Sequence, residues 1–217
     1  ALNTDTLTFN LNNYYSNATR GAIIKSLPET KVEIEKISHL LFKNGINTSV
    51  LLKDNATEDN LKKVNNPDIL HIATHGFFIN SNKSLPMFNS GLLLGGSSNQ
   101  NKLNEDGYLS AYETSLLNLD STKLVVLSAC ETGRGVLKDG DGVFGLKQGC
   151  LNAGAQNIIM SLWKVDDKVT QEFMTRFYQL WLNDKTTIRE AFHKTQLEIK
   201  TKYPQPYYWG AFILVGE

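Results

Sequence analysis

The chain has no excess of charge of either sign: 22 lysine and arginine residues balance 22 aspartate and glutamate residues. A formal net charge of zero removes the electrostatic case for a nucleic-acid groove or an anionic membrane surface as partner. Cysteine is scarce. Two residues of it close at most one disulfide, which excludes the cross-linked framework of a small secreted domain and points to a reducing, cytoplasmic setting. No apolar run approaches the roughly 20 residues that a membrane-spanning helix needs, and no signal-peptide pattern is present. Internal repeats are lacking too. What is there is ordinary globular composition, 41% hydrophobic over 217 residues, enough to bury a full core.

Strand-like runs alternate with helical patterns along most of the sequence, which predicts an α/β fold with a mostly parallel sheet of about six strands between helical layers. Residues 1–26 are rich in Asn and Thr and predict one strand, over 6–11, followed by a loop; a single domain then occupies 27–217. Thr30 and Glu33 have the spacing of a capping box, Ile34, Ile37, Leu40 and Leu41 make an apolar stripe, and Asn44-Gly45 ends that helix. A strand over 48–52, a short helix led by Thr57 and a strand ending in His75 follow. The irregular, Asn/Ser/Gly-rich stretch 77–107 contains one strand-like run, 91–95. Helices are expected over 109–117 and 143–154, and a buried strand over 157–165. Two amphipathic helices come next, facing inward with Val169, Phe173, Phe177 and Leu180, then with Ile188, Ala191, Phe192, Thr195 and Ile199. Residues 209–215 close the sheet.

Two of the apolar runs end in reactive side chains. One reads D-I-L-H-I-A-T-H-G (68–76) and the other K-L-V-V-L-S-A-C-E-T-G (123–133). Chemistry on an open parallel sheet collects at the carboxyl ends of its strands, so His75 and Cys130 are expected on one rim. A thiol and an imidazole together are the minimum parts of a cysteine nucleophile with its base. Histidine comes first, and 130 − 75 = 55 residues separate the two, which agrees with the caspase arrangement of about 50.

With S-L-W-K-V-D-D (161–167), L-P-E-T-K-V-E (27–33) and the closing Y-Y-W-G-A-F-I-L-V-G (207–216), these motifs resemble the CHAT family of caspase-like cysteine peptidases, related to separases. The resemblance implies a caspase-like sandwich, an endopeptidase activity without cofactor, and a protein or peptide substrate. It also implies an effector module attached to an upstream repeat or sensor region or an activating partner. The start at Ala1-Leu2-Asn3, without methionine, fits a piece of such a longer protein. Backbone amides of Gly76 and Cys130 are the oxyanion candidates, because glycine lets a substrate backbone come close. Two other readings fit the same residues: a non-catalytic signalling or assembly module, and a cysteine hydrolase of small amides.

The separase motif has a tryptophan, a valine and then an aspartate that contacts a basic side chain next to the scissile bond. Aligned on Trp163 and Val165, that aspartate is Asp167, which implies a preference for arginine or lysine; Asp166 suits the N-cap of the following helix. Asp166, Trp163 and Glu131, flanking the same rim, complete the expected substrate-facing set with Asp167. The glycine-rich run 133–142 lacks the Gly-Lys-Ser/Thr of a phosphate-binding loop and reads as an active-site wall. Cys150 falls on the apolar stripe of its helix with Val143, Leu146 and Ala153 and is expected to be structural. His71 and His75 form H-x-x-x-H, but four strand residues span roughly 13 Å, too far for one ion. His71 is expected to be buried and hydrogen-bonded, His39 and His193 to lie on the surface, and no metal site is expected.

Overall fold

The computed structural model describes residues 28–78, 86–95, 106–131 and 141–216. Six strands form one sheet: β1 (Ile69–Phe78), β2 (Ser90–Leu93), β3 (Tyr108–Ser110), β4 (Leu124–Glu131), β5 (Asn157–Ser161) and β6 (Phe212–Gly216). Their spatial order is β3-β2-β1-β4-β5-β6. The centre is parallel, β1 with β4 and β4 with β5, and the three outer pairings are antiparallel. The sheet is therefore the expected six-stranded one, mixed rather than parallel throughout. It is an α/β architecture of the caspase-like kind.

Helices cover both faces. On one side lie α1 (Pro28–Lys43), α5 (Asp167–Asn183) and α6 (Ile188–Lys202), whose Ile37, Phe173, Phe177 and Ala191 pack with Leu124, Val126 and Ile159 of the sheet. On the other lies α4 (Asp141–Asn152), whose Leu146 and Cys150 pack with Val125, Leu127 and Ile158. Strict alternation of β4 between the two cores, 124 and 126 to one face, 125 and 127 to the other, is what a doubly covered strand requires. The inward residues expected for α5 and α6 are buried, Ile188 only partly. Among the described residues no helix is long and apolar enough to cross a membrane.

Local chemistry explains most of the short elements. Thr57 caps α2 (Glu58–Lys62) by accepting from the Asn60 amide. Helix α1 ends where Gly45 takes φ 74°, a left-handed conformation that costs glycine little. Gly91 allows β2 to lie close under its neighbours, for a Cβ there would sit 2.3 Å from the Leu109 carbonyl oxygen and 2.6 Å from the Phe77 ring.

Besides the strands expected over 157–165 and 209–215, which run over 157–161 and 212–216, three expectations need correction. Helix α1 already includes Pro28, so Thr30 is its third residue and not its N-cap. Glu33 turns into the core instead, where its carboxylate lies 2.8 Å from Nε2 of His71. Residues 48–52 form no strand; Val50 and Leu51 stay exposed, because β-branched and apolar residues make a strand only against a ladder and a packed face. The helix expected over 109–117 shrinks to α3 (Ala111–Thr114), since Ser110 and Glu113 close a capping box that starts it late and leaves Leu109 in β3. The strand expected over 6–11 lies outside the described residues.

His71 joins three elements. Its Nε2 meets Glu33 of α1, its Nδ1 lies 3.2 Å from the Tyr178 hydroxyl of α5, and all three side chains are nearly solvent-free. Burial first, then the Glu33 carboxylate, push the Tyr178 phenol well above its ordinary range. Removing one member strands its partners in the core. Glu33→Ala and His71→Ala are each expected to lower stability by about 3 kcal/mol, read from urea midpoints, with the exposed His193→Ala unchanged.

Candidate active site

His75 and Cys130 are direct partners in the parallel register of β1 and β4. The axes of neighbouring strands run about 4.8 Å apart, so the two positions are as close as residues on different strands can be. They also share a face. Positions 69, 71, 73 and 75 of β1 pair with 124, 126, 128 and 130 of β4, and the first of each set belong to the core beneath α1, α5 and α6. That face changes character toward the rim: Leu124 and Val126 give way to Ser128 and Cys130, Ile159 to Ser161, and Ile69 to His71 and His75. Ser128 and Ser161 are both buried, 8% exposed. The expectation of a shared rim is met in the register, although β1 continues three residues past His75 to Phe78.

His75 is half-buried, with Nδ1 shielded from solvent. Gly76 pairs with Glu131 in the same register and is buried. On its other edge β1 meets β2, His75 opposite Leu93, and the Thr74 hydroxyl donates to the Leu93 carbonyl. The histidine strand is thus held from both sides at the level of the candidate dyad. Both ring nitrogens of His71 are engaged elsewhere, as described above, which separates that histidine from the dyad chemically as well as by distance.

The loop after β5 opens on the same rim, because β5 runs parallel to β4. Val165 is 1% exposed and anchors the loop in the core. Asp166 is the N-cap of α5, its Oδ1 accepting from the amides of Lys168 at 3.0 Å and Val169 at 3.3 Å. Asp167 is the first helical residue and is half-buried. Of the two roles expected for Asp166, substrate contact and helix cap, its side chain takes the cap. Trp163, half-buried, donates from its indole N–H to the Tyr207 carbonyl at 3.0 Å. The glycine-rich run expected to wall the site lies mostly outside the described residues.

Cys150 is 1% exposed on α4, and burial pushes its thiol up to about 12. A thiol so far from its thiolate is a poor nucleophile. His39 and His193 are exposed on their helices. Ser128, Ser161 and Tyr207 stand in the quoted motifs without an expected role. For the serines a signal existed: a small polar residue on the inward period of an apolar run, one step before the rim. Tyr207 opens the motif Y-Y-W-G quoted above, but its role could not be read there, because its partners belong to a distant loop.

A family profile described as the CHAT domain matches residues 5–217, beginning well before Leu27, where the motif resemblance starts. Tetratricopeptide repeat protein 28 of Mus musculus is 32% identical over 99 residues, 44% of this chain and 4% of that protein. Tetratricopeptide repeat protein 28 of Homo sapiens is 32% identical over 97 residues, 43% of this chain and 4% of that protein. The chain thus matches only a small fraction of the length of these curated relatives.

Proposed function

The chain belongs to the CHAT family, and from that premise we propose that it is a cysteine endopeptidase working through Cys130 and His75. The observation that supports this reading is the register pairing of the two residues at the rim of the central strands. His75 takes the thiol proton, and the Cys130 sulfur attacks the scissile carbonyl carbon. The C–S bond forms as the carbonyl π pair moves onto oxygen. Amide N–H groups of Gly76 and Cys130 hold that oxyanion. As it collapses, the C–N bond breaks, and His75 returns its proton to the departing amine. Water, deprotonated by His75, then cleaves the thioester and restores the thiol.

Asp167 contacts a basic side chain preceding the scissile bond, and Trp163 and Glu131 are the other substrate-facing residues of this reading. An upstream or partner module regulates the peptidase, a reading that the tetratricopeptide-repeat names of the two relatives favour. A second reading, favoured by the same repeat names, is a CHAT domain retained for assembly or signalling.

Digestion of a diverse peptide mixture, with new termini mapped by mass spectrometry, separates the two. Cuts that vanish in Cys130→Ala support the peptidase. An intact mixture, under conditions where Cys130 still alkylates in a His75-dependent way, supports the assembly module. Cys150→Ala is expected to cut like the wild type while losing about 1 kcal/mol of stability to the small cavity, read from urea midpoints.

A further inference from the structure

We infer that Tyr207 is a positioning residue that clasps the β5–α5 loop beside Cys130. The inference rests on the endopeptidase reading for its catalytic consequence and on hydrogen bonds alone for the clasp itself.

Residues 162–166 leave β5 at the rim and must turn before α5 begins. The two ends of that turn are fixed by other means. At the start, the Leu162 amide donates to the Ala211 carbonyl at 2.8 Å. At the end, Val165 is buried and Asp166 caps the helix. Between them stand Trp163 and Lys164, and Tyr207 takes both. It accepts the Trp163 indole N–H on its carbonyl and donates its phenol to the Lys164 carbonyl. One residue therefore answers a side chain with its backbone and a backbone with its side chain.

Tyr207 is itself well seated. It lies in α7 (Pro206–Trp209), a single turn opened by a proline at its first position and closed by the Gly210 amide on the Pro206 carbonyl at 2.8 Å. Directly after it comes β6, whose Phe212 pairs with Ser161 at the end of β5. The Trp209 indole donates to the Pro204 carbonyl at 3.3 Å, and Gln196 of α6 donates to the Trp209 carbonyl at 3.4 Å. The Tyr208 ring stands edge-on to Tyr207 with centroids 5.4 Å apart. Yet Tyr207 is 51% exposed. Burial therefore does not account for a large aromatic here; the phenol bond to the Lys164 carbonyl does.

The consequence lies in the loop's geometry. Trp163 is one of the clasped residues and Asp167 lies three residues beyond the other, Lys164, and a charge-assisted contact with substrate depends on angle as well as distance. A loop free to shift would weaken substrate binding without touching the dyad.

Tyr207→Phe tests this, since it removes the phenol bond and keeps the ring and the backbone carbonyl. Amide hydrogen exchange over 162–170 is expected to rise about fivefold, the value of one ordinary hydrogen bond, with β4 unchanged. KM for arginine-ending peptides is expected to rise by a similar factor at constant kcat, and alkylation of Cys130 by a small reagent to be unaffected. Unchanged exchange overturns the clasp, whatever the kinetics. Faster exchange with wild-type kinetics overturns its positioning role. Faster exchange in a chain whose wild type cuts no peptide upholds the clasp and fails the endopeptidase reading alone.

Discussion

Cys130→Ala is expected to abolish peptide cleavage, and His75→Ala to lower kcat by about 10³-fold or more, while both variants melt within a few degrees of the wild type. The asymmetry follows from the roles. Without sulfur no thioester forms, so no slower version of the same route remains. Without the imidazole the thiol still ionises in part near neutral pH, but the departing amine loses its acid. Stability should change little, because each variant truncates a residue at the rim of the sheet, beyond the apolar part of the face. Cleavage assays with circular dichroism melts check both halves. An active Cys130→Ala beside an inactive Cys150→Ala would reverse the assignment.

Asp167→Ala is expected to lower kcat/KM for arginine-ending peptides on the order of a hundredfold, about 3 kcal/mol, and to leave leucine-ending peptides unaffected. Asp166 is spent on the helix cap, its Oδ1 on two amides, so Asp167 is the carboxylate available to a basic substrate side chain. Asp166→Ala should behave differently, losing about 1 kcal/mol of stability through the cap and little selectivity. Profiling a peptide library at the residue before the cut measures both variants. A preference for leucine or methionine that survives Asp167→Ala would reject basic specificity.

The central sheet was legible because its runs are short and apolar and carry punctuation near their ends: H-G in the last part of β1, C-E-T-G where β4 finishes. The long amphipathic helices were legible from period alone, and their inward residues are buried as the stripe requires. What failed were features decided by tertiary partners. Glu33 has the spacing of a capping residue, but a buried histidine 38 residues away competes for its carboxylate and wins. Val50 and Leu51 have strand character and no ladder to join. Antiparallel closure at both margins depends on which edge a strand meets, and hydropathy carries no such information. The candidate dyad belongs to the first kind, since strand ends fix it. The loop bearing Trp163 belongs to the second, since its shape depends on Tyr207, 44 residues later.

Covalent capture tests the central claim most directly. The wild type, His75→Ala and Cys150→Ala are each treated with a thiol-reactive peptide probe ending in arginine, and the modified residue is located by intact mass and peptide mapping. The account predicts one adduct, on Cys130, formed at equal rates in the wild type and Cys150→Ala and about a hundredfold more slowly in His75→Ala. An adduct on Cys150, or labelling of Cys130 at the same rate without His75, would contradict it.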